Sequence, residues 1–221
     1  MRIVTAGACV VVATACMGGC AILGFVANNV FPEKIKAAYR LPDRPTVIVV
    51  DDPLALLDDR AFLVQVAHGV GVELTQQRAV SQVIASERLV KLSARLGDEF
   101  GRMPIDHIGR ELGAEQVVHV NIESVAVSHA RMQLLCQVKV IDAVRGVRLF
   151  PASVLGPGGP TLRGAGRISV EIAHTAVADV RRGERVMVGR DLGRRVSVEV
   201  ARLFVDYEVP MGDGRLDSTR S

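Results

Sequence analysis

QVVHVNIESVAVSHARMQLLCQVKVIDAVRGVRLF, residues 116–150, reads as strand, strand, turn, strand. In its first part Val118, Val120 and Ile122 alternate with His119, Asn121 and Glu123, the period-two pattern of a half-exposed strand with a polar outer face. Arg131 to Ile141 forms a second strand, with Leu134, Cys136, Val138 and Val140 on one face. Asp142-Ala143-Val144-Arg145-Gly146 is a hairpin turn, and Val147 to Phe150 leads away from it. An antiparallel meander is therefore the centre of the domain.

Working towards the amino terminus, Pro104 opens a short helix, IDHIGRELGA, with Ile105, Ile108 and Leu112 as its apolar stripe and Gly113 at its end. SQVIASERLVKLSARLG precedes it. Ser81 suits a helix cap, Ile84, Leu89, Leu92 and Leu96 share a buried side, and Gly97 is the stop. A short strand is expected around Ala79-Val80, and a helix over Ala61 to Val72 whose end Gly69 and Gly71 weaken. Thr46 to Val50, TVIVV, is a β-branched run suited to a strand buried on both faces, ending in Asp51-Asp52-Pro53.

Towards the carboxyl terminus, residues 151–166 hold three Pro and five Gly and read as a loop. Arg167 to Ala173 reads as a strand that could reach Ala178, and Asp191 as the cap of a helix through Tyr207. Leu192, Val196, Val200, Leu203 and Phe204 give that helix its apolar side. The order β-α-(β)-α-α-β-β-β-α predicts an α+β fold: a single layered domain, a mixed sheet with an antiparallel meander packed against helices.

The 221 residues and 23.7 kDa suit one domain. With 49% hydrophobic and 23% charged residues the chain is globular, which excludes wholesale disorder. Aromatics are only 4% and Trp is absent, so stacking platforms for bases or sugars are scarce. A net charge of +3 is too mild to imply nucleic acid.

After Arg2, residues Ile3 to Pro32 carry no formal charge, and the segment VVVATACMGGC is apolar, then small. That is the composition of an export signal. Met17-Gly18-Gly19-Cys20 resembles the lipobox of bacterial lipoproteins, which implies a thiol joined to diacylglycerol and cleavage before Cys20. Ala13-Thr14-Ala15-Cys16 is a second choice, and an uncleaved span over Ile3 to Val26 or a plain secretory signal are the alternatives. The expected boundaries are 1–19 for the signal peptide, 20–45 for a lipid-anchored tether with a helical stretch over Glu33 to Tyr39, 46–210 for the domain and 211–221 for a disordered tail. Cleavage would leave Cys20, capped by lipid, and Cys136, which reads as a small buried hydrophobe.

The phrases GRELGAEQVVHV and VIDAVRGVRLF, with TVIVVDD before them and RLFVDY at the close, resemble a group of uncharacterised bacterial envelope lipoproteins. The element order is similar to that of the TolB amino-terminal domain, the curli secretion lipoprotein and lipoprotein activators of penicillin-binding proteins. That resemblance implies a non-catalytic periplasmic domain working by contact.

Three functional readings follow. The first is an exported protein, held to a membrane by acyl chains on Cys20, whose domain binds an envelope protein or glycan; it needs no cofactor, no metal and no nucleic acid. The second is an envelope hydrolase using Asp51 or Asp52 with a histidine such as His119. His68, His107, His119, His129 and His174 show no metal-ligand spacing, so no metal is expected. The third is an anion-binding module. Ten arginines against four acids lie between Arg145 and Arg195, and Arg181, Arg182, Arg185, Arg194 and Arg195 are its candidate contacts.

Overall fold

The computed structural model describes residues 34–57, 59–128, 131–152, 162–173 and 182–209. The expected leader with Cys20, the tail after residue 210, His129, His174, Arg181 and the side chains of Arg182 and Arg185 lie outside the described residues. The chain divides into two compact units, Met1–Lys36 with Asp206–Ser221, and Ala37–Val205.

In the first unit, β1 (Lys34–Ile35) pairs antiparallel with β8 (Tyr207–Glu208), and Lys34 Nζ lies 3.3 Å from Glu208 Oε1. This corrects the helical reading of Glu33 to Tyr39. A two-residue strand exists only through its distant partner, and local spacing does not register that partner.

The second unit is the α+β domain. Its elements are β2 (Thr46–Asp51), α1 (Arg60–Gln76), β3 (Val83–Ile84), α2 (Ser86–Leu96), a 3-10 helix (Gly97–Arg102), α3 (Ile105–Leu112), β4 (Gln116–Val127), β5 (Arg131–Asp142), β6 (Val147–Phe150), β7 (Arg167–Ala173) and α4 (Arg182–Arg202). The sheet runs β3-β2-β4-β5-β6. β2 is parallel to β3 and β4, and β5 is antiparallel to β4, β6 and β7. β7 pairs with residues 131–137 of β5 and β6 with residues 140–142, so the two strands share one edge. The mixed sheet and its antiparallel meander are thus as the periodicity predicts, with four strands rather than three between α3 and α4.

The sheet is covered on both faces. Ile48, Val118, Val120, Ile122, Leu134, Cys136, Val138 and Val140 meet α1 and α4 through Phe62, Val66, Val70, Leu74, Leu192, Val196 and Val200. Val47, Val49 and Val117, on the opposite face, join Leu92 of α2 and Ile108 and Leu112 of α3. β2 is therefore buried on both sides, as its β-branched run requires. The start of β4 is also buried on both sides, which corrects the half-exposed reading. Alternation alone did not reveal that short helices roof the second face.

Three helix boundaries also differ. α1 passes straight through Gly69 and Gly71. A Cβ at Gly69 would collide with Ser197 Oγ on α4, and one at Gly71 would come within 2.9 Å of Val83 Cγ1, so these glycines allow close packing instead of ending the helix. Ser81 is not a cap. Its N–H donates to the Asp43 carboxylate at 2.7 Å, the strand lies at Val83–Ile84 rather than Ala79-Val80, and α2 starts only at Ser86. Asp191 lies inside α4, where its carboxylate accepts from Arg194 and Arg195 at 3.3 and 3.1 Å, and the helix ends at Arg202. An Asp ahead of an apolar stripe has the same local sequence whether it caps a helix or pairs one turn on. By contrast, Gly97 and Gly113 do end α2 and α3, with φ of 55° and 76°.

Buried polar groups fix the strand starts. Gln116 Nε2 donates to the Pro42 carbonyl and to Thr46 Oγ1, both at 2.8 Å, and Thr46 Oγ1 donates to the Arg44 carbonyl at 2.7 Å. Asp142 accepts the Val144 and Arg145 backbone N–H groups at 3.0 and 2.9 Å, which closes the β5–β6 turn.

Candidate functional site

The parallel pair β2–β4 brings its carboxyl end to one place on the second face. In register, Val49 lies beside His119 and Asp51 beside Asn121, while Lys139 and Gln137 follow on β5. Open sheets of this kind favour ligands at such strand ends. Asp51 is exposed, whereas His119 is only 8% exposed. His119 Nε2 and Asn121 Oδ1 are buried and have no hydrogen-bond partner. Burial lowers the His119 pKa below its ordinary 6.5, Lys139 pushes the same way, and Asp51 opposes both. The imidazole is therefore neutral near pH 7.

Asp52 is occupied elsewhere. Its carboxylate accepts the backbone N–H groups of Leu56 and Leu57 at 2.9 and 2.8 Å, so it closes the turn after β2. The two adjacent aspartates thus do different things, and only Asp51 acts electrostatically on His119. Cys136 lies in the core on the other face, where burial pushes its thiol up to about 12. A thiol so high is no nucleophile at neutral pH. Among the described residues no three His, Cys, Asp or Glu side chains gather where they could hold a metal ion.

Beyond the covered part, the same face is polar. Arg131 meets Glu171 at 2.8 Å, Gln133 Nε2 donates to Ser169 Oγ at 2.9 Å, and Arg167 Nε lies 3.1 Å from Glu123 Oε2. Arg194 and Arg195 share the Asp191 carboxylate, and Arg163 donates to the Arg202 carbonyl at 2.5 Å. The described arginines between 145 and 195 are consequently distributed over several elements, and Arg167, Arg194 and Arg195 among them have carboxylate partners.

An open groove of about 580 Å³ runs between α1 and α2, lined by Arg60, Ala61, Val64, His68, Ser86 and Val90 among others. Val64 and Val90 stay 36% and 42% exposed there. Sequence reasoning missed this groove, since it arises from the crossing of two helices. It also missed the burial of His119. The signal for that was available in the amphipathic short helices just upstream, which need a sheet face to cover.

No protein-family model matches the chain, and no curated protein does. Several solved structures are similar in fold at low identity. A lipoprotein, GNA1162 from Neisseria meningitidis, is 10% identical with a TM-score of 0.39, over 65% of this chain and 89% of that one. A PelC dodecamer from Paraburkholderia phytofirmans is 8% identical with a TM-score of 0.38, over 79% of this chain and 98% of that one. The hypothetical protein CT253 from Chlamydia trachomatis is 11% identical with a TM-score of 0.38, over 71% and 93%. No helix among the described residues is long and apolar enough to cross a membrane.

Proposed function

We propose that this chain is a lipid-anchored cell-envelope protein whose α+β body is a non-catalytic binding module for another envelope component. The observation that carries this reading is the charge-free segment Ile3 to Pro32 with small residues running into Cys20. Acyl chains on Cys20 would hold the protein at a membrane, with about 0.8 kcal/mol for each buried methylene.

Two features of the site support the non-catalytic part. The Asp52 carboxylate is taken up by backbone amides, and His119 Nε2 is buried beyond the reach of any substrate oxygen. A general base needs hydrogen-bond access to the proton it removes, and this ring nitrogen has none. The exposed apolar and polar surfaces are better suited to contact.

The test is membrane fractionation of cells expressing the wild-type chain and Cys20→Ala. The wild type is expected in the membrane pellet and Cys20→Ala in the soluble exported fraction. Blocking lipoprotein leader cleavage should leave a heavier precursor. Equal partitioning of the two chains, with no precursor, overturns lipidation. Crosslinking in intact cells then identifies the partner.

A further inference from the structure

The second cover of the sheet is held by few fully buried side chains, and a buried histidine stands on the sheet face that it packs against. We propose that the α2–3-10–α3 segment is an acid-opened hatch, released from the sheet when His119 gains a proton.

The argument starts from placement. His119 shares its β4 face with Val117, beside Val49 on β2, and the helices that join that cluster are α2, the 3-10 helix and α3. Few of the segment's side chains are fully buried: Ser86 and Leu92 on α2 and Ile108 and Leu112 on α3, while Leu89, Leu96, Phe100, Met103 and Ile105 pack against the same cluster only partly buried. Segments with few buried apolar contacts are the ones that open locally. On this face the buried His119 Nε2 has no partner, and Asn121 Oδ1, two residues along, has none either. A neutral unpaired ring nitrogen away from water is unfavourable, and a charged one more so. Lifting the cover gives both atoms water. The open form therefore takes up a proton more readily than the closed form, and acid favours opening.

The neighbouring charges do not cancel this. Asp51 on β2 favours the protonated ring and Lys139 on β5 disfavours it. Glu123 on the same strand is paired with Arg167. On the cover, the half-buried Asp106 is held by Arg110 at 2.8 Å, and the remaining charged side chains of the segment are exposed. Burial outweighs these charges and holds the ring below its ordinary 6.5.

The experiment is hydrogen exchange of the full chain at pH 7.5 and pH 5, corrected for the intrinsic dependence of exchange on pH. Peptides over residues 86–112 should show opening that rises about tenfold per pH unit between the ordinary and the lowered histidine value. Peptides over residues 60–76 and 190–202 should not change. His119→Gln and His119→Leu should abolish the acid response. An acid response that persists in either folded variant, or is absent from the wild type, overturns the proposal. If both variants fail to fold, the His119 ring titration in the wild type decides. A midpoint below 6.5 that tracks the opening supports the hatch, and one at or above 6.5 overturns it.

Discussion

The two covers of the sheet differ in depth. On one face α1 and α4 bury Phe62, Val66, Val70, Leu74, Leu192, Val196 and Val200 over the whole central sheet. On the other, α2 and α3 bury only Leu92, Ile108, Gly109, Leu112 and Ser86, over the first half of the strands. The difference teaches where this domain stores stability and where it can move. The deep cover is interlocked closely enough that Gly69 touches Ser197. The shallow one ends at unpaired polar atoms.

The largest effect expected from that contrast comes from cutting the same side chain on each side. Leu74→Ala, at a position with no exposure, should cost about 3–5 kcal/mol of unfolding free energy in urea titration. Leu112→Ala on the shallow cover should cost nearer 2–3 kcal/mol, because a loosely held helix can settle into the space. Equal losses would remove the asymmetry.

A smaller effect tests the glycines. Gly69→Ala should destabilise by about 1–3 kcal/mol, since its methyl group meets Ser197. Gly101→Ala, in the 3-10 helix where nothing lies within 4 Å, should stay within about 0.5 kcal/mol. Thermal melts of the two variants rank them directly.

Acid separates a third feature from the covers. The backbone N–H of Arg145 hydrogen-bonds Asp142 and holds its carboxyl below the ordinary 3.8, with the Val144 N–H and the charges of Arg145 and Arg44 adding to the effect and burial opposing it. A lowered folded value means that this group stabilises the fold above pH 3.8 and ceases to do so as pH falls through the lowered value. Asp142→Asn should therefore flatten the stability loss below pH 3.8 by about 1 kcal/mol, read from urea midpoints at pH 5 and pH 3. An unchanged slope would place the acid sensitivity elsewhere.

The smallest effect is at the open face. Arg131→Ala breaks an exposed pair with Glu171 and should change stability by less than about 0.5 kcal/mol.

Much of the fold was legible because its signals are local. TVIVV, the alternation after Gln116, the glycine stops at Gly97 and Gly113 and the turn at Asp142–Gly146 each express a backbone preference in a few residues. What could not be read depended on distant partners. β1 exists because β8 does. The glycines of α1 make sense only against Ser197 and Val83, and Asp191 only within a helix that starts nine residues earlier. The candidate site failed in the same way. The spacing of His119, Asn121 and Glu123 indicated a shared face, but not that His119 is buried on it while Glu123 pairs with Arg167. Asp51 and Asp52 look alike in sequence and are told apart only by the amides of Leu56 and Leu57.

The reading of this chain as an anchored envelope module is tested most directly by the intact mass of the mature protein extracted from cell membranes. The expected polypeptide begins at Cys20 and carries the added mass of acyl chains. A polypeptide recovered from the cytosol with residues 1–19 attached and no added mass would contradict it.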